Sequence, residues 1–183
     1  MLIDSPDVTL RQATAADVDE EFCGWYRNDD GHLAYFSGSG RTFDRETLIA
    51  DIDEGLRTRR WFYYVVSARD GARIGTIKVG PIDQRNQTSD LVSLIGNRAY
   101  VGKGLGAQAV AAASRIAFTS LGVRRLHSGM YAHNVSSIRA YVRAGWFIEA
   151  TMRGFYLVDG APVDRVCVAC LNPAAFAGTG ASA

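Results

Sequence analysis

Apolar positions along this chain follow two rhythms, and their order predicts alternating strands and helices. Runs rich in β-branched and aromatic residues mark strands at Val8 to Gln12, Trp61 to Ser67, Arg73 to Val79, Leu91 to Ile95 and Arg125 to Tyr131. Helical spacing of Leu48, Ile49, Ile52 and Leu56 gives an amphipathic helix from Asp44 to about Thr58. A second stripe, Ala109, Val110, Ala113, Ile116 and Ala117, gives a helix that starts at Leu105 and ends at Gly122.

Turn chemistry fills the gaps. Thr14-Ala15-Ala16-Asp17 is a capping-box variant that opens a helix through about Tyr26. Arg27 to Arg41, rich in Gly, Asp and aromatics, reads as a long loop, and Pro81 to Thr88 as a polar turn. Arg69-Asp70-Gly71 joins one hairpin. After a strand at Phe147 to Thr151, Asp159-Gly160 joins a last hairpin of Phe155 to Val158 and Val163 to Leu171. With no repeat and no linker, a single α/β domain is expected over residues 1–172, followed by a flexible tail at 173–183.

Composition narrows the function classes. The 183 residues are 48% hydrophobic, enough for one sizeable core. A net charge of +1 gives no electrostatic case for nucleic acid. No apolar run approaches the roughly 18 residues of a membrane span, so no membrane partner is expected. Met1 to Pro6 lacks the basic and apolar regions of a signal peptide, which makes a cytoplasmic location the expectation. Three cysteines are too few for a disulfide framework. Cys167 and Cys170 have the spacing of a redox or zinc pair, but they lie three apart on a strand and so point to opposite faces. No cluster has metal-ligand spacing, and no metal is expected.

The most informative stretch runs from Asn97 to Ala109, with glycines at 102, 104 and 106. Alternate glycines let a backbone approach a ligand closely, and the helix that follows begins with unpaired N–H groups and a positive dipole end. Strand, glycine turn and helix start together make a phosphate cradle. It is not a P-loop, because Gly96 lies one residue too far from Gly102-Lys103 and Gly104 stands where a Ser or Thr is needed. Gly104, Gly106 and Ala109 match a dinucleotide fingerprint on paper. Yet about eight residues separate Ile95 from Gly104, and Arg124 and Arg125 stand where an acidic ribose ligand belongs.

A second motif decides between cradles. Asn134, Ser137, Tyr141 and Gly145-Trp146 follow another strand; Asn134 is a good N-cap, and two helical turns bring Tyr141 to the same side. With Gly104 and Gly106, these residues resemble the two motifs of the GNAT-type N-acetyltransferases. Tyr100-Val101-Gly102-Lys103-Gly104 is similar to the string of the ribosomal-protein N-terminal and amino-sugar branch. Val101 departs from the Gln or Arg of the acyl-CoA motif.

The resemblance implies a GNAT fold: a mixed, mostly antiparallel sheet of about seven strands with helices on both faces. It implies an acetyl-CoA-dependent enzyme that acetylates a primary amine, on a protein N-terminus or a small molecule such as an amino sugar, by direct attack in a ternary complex. The cofactor would contact Leu94, Ile95, Val101, Gly102, Lys103, Gly104, Leu105, Gly106, Asn134 and Ser137. Leu94 and Ile95 would pair with pantetheine through their backbone. Tyr141 would be the general acid, although a helix Tyr packed on the sheet has the same spacing. Asp90, at the entry of the cradle strand, is either the base or amine-binding carboxylate or a solvated strand end. Some relatives carry Glu where Gly129 stands here. His32 and Tyr35 in the long loop are candidates for the acceptor wall, while His127 and His133 read as structural. Arg139 and Arg143 read as a solvated face that could meet the 3′-phosphate of CoA. A non-catalytic acyl-CoA-binding module and an NAD(P)-dependent reductase are the competing functions, and a homodimer through the last hairpin stays open.

Overall fold

The computed structural model describes residues 5–27, 33 and 43–177. Seven strands form one sheet in the order β1-β2-β3-β4-β5-β7-β6: β1 Val8–Gln12, β2 Phe62–Ala68, β3 Arg73–Asp83, β4 Thr88–Ile95, β5 Arg125–Tyr131, β6 Phe147–Val158 and β7 Ala161–Leu171. Every neighbouring pair is antiparallel except β4 with β5. The expected mixed, mostly antiparallel α/β sheet is what the chain forms.

Strand alternation divides the core in two. Tyr64 and Val66 of β2 turn to one face and pack with α3 (Leu105–Ser120) and α4 (Val135–Arg143). Tyr63 and Val65 turn to the other and pack with α1 (Glu20–Gly24) and α2 (Arg45–Thr58). Strands covered on both faces read as near-continuous apolar runs, which is why β2, Phe62 to Val66 above all, was legible from sequence. The stripe on α3 is fully buried at Ala109, Val110, Ala113 and Ala117. Its Ser114 accepts a hydrogen bond from the Trp146 indole at 3.1 Å, which ties α3 to the start of β6.

Four elements differ from the sequence reading. The Thr14 box closes only one 3-10 turn, Ala15–Asp17, because Val18 leaves the helical region with ψ 73°. The helix starts again at Glu20, where Asp19 accepts the Phe22 N–H, and it stops at Gly24. Pro81 is not in a turn but inside β3, in the register irregularity between Val79 and Ile82, where no ladder donor is required. The two segments Phe147 to Thr151 and Phe155 to Val158 are one strand, β6, bent at irregularities after Ile148 and Met152. Beyond residue 172, Pro173–Phe176 forms a helical turn (α5) capped by Asn172, with the Arg124 guanidinium over the Phe176 ring. β6 forms the sheet edge and leaves Ile148, Met152 and Leu157 exposed.

Asp17 is an ion that this scaffold holds by several hydrogen bonds. Its carboxylate accepts from Arg11 and from the Thr14 N–H at 2.8 Å. The Arg11 guanidinium, followed by the Thr14 backbone, lowers its pKa to about 2. A carboxyl lowered on folding contributes stability above its ordinary range and loses it as pH falls through about 2. Asp17→Asn is therefore expected to cost about 1–3 kcal/mol in urea unfolding at pH 7. That cost should shrink steadily below about pH 4, where the unfolded carboxyl gains its own proton; a constant difference across pH would contradict it.

Candidate active site

The site begins where two strands part. β4 and β5 pair only at Thr88–Arg125, Ser89–Leu126 and Asp90–His127. Beyond Asp90, β4 stays with β3 and β5 stays with β7, so a wedge opens between them. A cavity of about 780 Å³ fills this wedge and runs out to the glycine turn and α4. β4 starts at Thr88, which puts Asp90 within the strand and not at its entry.

One mouth of the wedge is the glycine turn at the start of α3. Gly102 and Gly104 both adopt φ 79°, a conformation that side-chain-bearing residues rarely hold. Gly104 is the N-cap of α3 and supplies no side-chain cap. Among the described residues no acceptor takes the N–H of Gly102, Lys103 or Gly104. The first-turn N–H groups of Leu105 and Gly106 have no partner within the helix either. Val101, Gly102, Gly104, Leu105 and Gly106 line the cavity; the Lys103 side chain does not, and lies instead over the Tyr100 ring. Arg139 and Arg143, read first as a solvated face, both line this cavity, and so does Arg98.

The walls correct one detail of the sequence reading. Gly96 donates to Ile74, so by antiparallel alternation Leu94, opposite Thr76, turns its peptide groups to β3. The groups that face the open wedge belong to Ser93 and Ile95. Leu94 still lines the cavity and packs against the α1–α2 core. Across the wedge, Asn134 caps α4 by accepting the Ser137 N–H at 3.2 Å, and both residues line the cavity.

Tyr141 lies at the closed end. It is 2% exposed, edge-on to Trp146, and its hydroxyl donates to the Leu91 carbonyl at 2.8 Å. Ser93 and Ser128 face the same hydroxyl. Burial pushes the phenol well above its ordinary pKa, so it holds its proton at any working pH.

Leu91 packs in the α3–α4 core, so Asp90, its neighbour, points to the opposite face of the sheet. Its half-buried carboxylate accepts the Leu91 N–H at 2.8 Å. Burial raises its pKa, against the pull of His127, the Leu91 N–H and Arg165. A carboxylate raised in this way is a stronger base. Around it stand Gly129, Phe155, Tyr156 and Arg165, none of which the motifs pointed to as site residues. A side-chain-free Gly129 inside a strand was the available signal, since such glycines often mark a close approach. His32 and Tyr35 lie outside the described residues; Leu33, between them, is buried and lines the cavity. His127 is exposed on β5. Cys170 is buried, which pushes its thiol up to about 11. Among the described residues no three metal-ligating side chains gather, and no helix is long and apolar enough to cross a membrane.

Residues 7–146 match the family described as acetyltransferase (GNAT) domain. A probable N-acetyltransferase, YjcK, of Bacillus subtilis (strain 168) is 26% identical over 126 residues, 68% of this chain and 70% of that protein. Among solved structures, spermidine N-acetyltransferase of Vibrio cholerae, in complex with CoA and spermine, superposes with TM-score 0.78 at 16% identity, covering 90% of this chain and 95% of that one. Ribosomal-protein-S5-alanine acetyltransferase of Vibrio fischeri gives TM-score 0.77 at 18% identity over 94% and 97% of the two chains. The structural likenesses carry the fold, and the family match spans more than half the sequence and both strands of the wedge. On that match this chain belongs to the GNAT acetyltransferase family and is an N-acetyltransferase.

Proposed function

We propose that the chain transfers the acetyl group of acetyl-CoA to a primary amine by direct attack within a ternary complex. One observation carries this reading. The β4–β5 wedge has unbonded N–H groups at one mouth, a carboxylate at the other, and a buried phenol between them. The diphosphate lies on the amides from Gly102 to Gly106, where the α3 dipole favours an anion. Pantetheine runs along the open backbone of Ser93 and Ile95, opposite Asn134, and the thioester reaches the end where Tyr141 lies.

The amine enters from the opposite face of the sheet, past Asp90. Its nitrogen attacks the thioester carbon; a C–N bond forms and the C–S bond breaks. An N–H proton leaves through Asp90 to water, and the Tyr141 hydroxyl gives its proton to the departing sulfur. Water then restores the phenol. Asp90, made more basic by burial, removes the proton that an alkyl ammonium, with a pKa near 10.4, would otherwise keep. In this reading Tyr141 and Asp90 are the catalytic residues.

Free thiol release from acetyl-CoA across a panel of primary amines tests the proposal. Amine-dependent release supports it; acetyl-CoA that neither stabilises the protein against heat nor releases thiol with any amine overturns it. The arginines on the cavity rim make a second expectation. Arg139→Ala with Arg143→Ala should raise the Kd for CoA about tenfold, roughly 1.4 kcal/mol. Dephospho-CoA, which lacks the 3′-phosphate, should show no such change by calorimetry. Equal losses for both ligands would place the 3′-phosphate elsewhere.

A further inference from the structure

Arg165 of β7 has a guanidinium nitrogen that the described residues leave without a hydrogen-bond partner. It pairs in register with Tyr131 of β5, on the face that carries Gly129. Its guanidinium lies flat against that glycine, so that a Cβ added there would overlap Nε, Nη2 and Cζ together. The Phe155 ring covers it, 4.9 Å from Cζ. Nε is buried and has no hydrogen-bond partner among the described residues. No described carboxylate forms an ion pair with it: Asp164, its neighbour, accepts the Gly154 N–H instead. Asp90 feels its charge, yet accepts its hydrogen bond from Leu91.

Burying a guanidinium N–H without a partner is costly, and the usual remedy is an oxyanion with matching geometry. Stacking on Phe155 and contact with Gly129 hold the fork in place before any ligand arrives. The fork lines the same cavity as Asp90, on the acceptor side of the sheet, beside the Tyr156 phenol. We infer that the acceptor amine carries an oxyanion close to its nitrogen, the amine held by Asp90 and the oxyanion by Arg165. The substrate class is zwitterionic: an amino carboxylate or a phosphorylated amine. Spermidine, a chain of cations, is a poor fit to a site whose floor is a guanidinium. This inference rests on the acetyl-transfer reading given above.

The test compares acceptors matched in size. Thiol release is measured with α-amino acids, with the amides of the same amino acids, with aminoalkyl phosphates and with spermidine, using wild-type protein and the variants Arg165→Gln and Arg165→Lys. In wild type, kcat/KM for an acid or a phosphate should exceed that of the amide at least tenfold, and spermidine should rank below both. The acid-to-amide ratio should approach one in Arg165→Gln and lie between in Arg165→Lys. The carboxylate and phosphate arms tell which oxyanion the fork takes. Turnover of amides or spermidine at least as fast as acids by wild type would overturn the inference while leaving acetyl transfer standing. No turnover of any amine would overturn the parent reading instead. The wild-type comparison decides even if a variant fails to fold.

Discussion

Tyr141→Phe is expected to lower kcat for acetyl transfer by about 10²–10³-fold, within the range of about 10²–10⁴ for a positioned general acid. The phenol reaches the closed end of the wedge, where it is bonded to Leu91 and held protonated by burial. Removing the hydroxyl leaves the ring, its edge-on contact with Trp146 and the α4 packing intact. The Leu91 carbonyl loses its donor, at a cost of about 1–3 kcal/mol in stability. Two measurements keep these effects apart. Thermal unfolding reports the lost hydrogen bond, and calorimetric titration with CoA should give a Kd within about threefold of wild type, since the proposed diphosphate site is at the other end. A kcat unchanged within threefold would make Tyr141 a packing residue and return the acid role to water or to the serines beside it.

Those serines show where sequence reasoning runs out. The glycine turn and the Asn134 cap were legible because their chemistry is local: backbone conformation, a helix start and two turns of spacing suffice. Asp90 was legible as a candidate, but its face was not, because a strand assigned to begin at Leu91 says nothing of the residue before it. The choice between Leu94 and Ser93 as open backbone depends on which peptide groups β3 has already claimed. A slip of one residue reverses that answer. Arg165 is harder still. Its place against Gly129 depends on β7 inserting between β5 and β6, a pairing across more than 30 residues of chain that no local pattern encodes. The Thr14 box shows the opposite failure: the local signal was real, and the box forms, but Val18 ends the turn before a helix can grow.

The cradle offers the second large effect, Gly104→Val. At φ 79° an L-residue carries a strain of about 1–2 kcal/mol, and a β-branched one more. A Cβ at Gly104 would meet no heavy atom within 4 Å, so crowding by the protein is not the problem. Only two outcomes are open to the backbone. Either it relaxes and turns the N–H groups of residues 102–106, or it holds and the isopropyl group enters the open space beside them. Both would remove the proposed anion site while α3, anchored by its buried alanines, stays in place. The Kd for acetyl-CoA should rise at least about 100-fold, close to 2.7 kcal/mol. The preference for acetyl-CoA over S-acetyl-cysteamine, which has no diphosphate, should fall by a similar factor in kcat/KM. That second comparison is decisive, because general damage to the wedge would depress both donors together and leave their ratio unchanged. A Gly104→Val protein that folds and keeps the full preference would mean that the diphosphate never touches these amides.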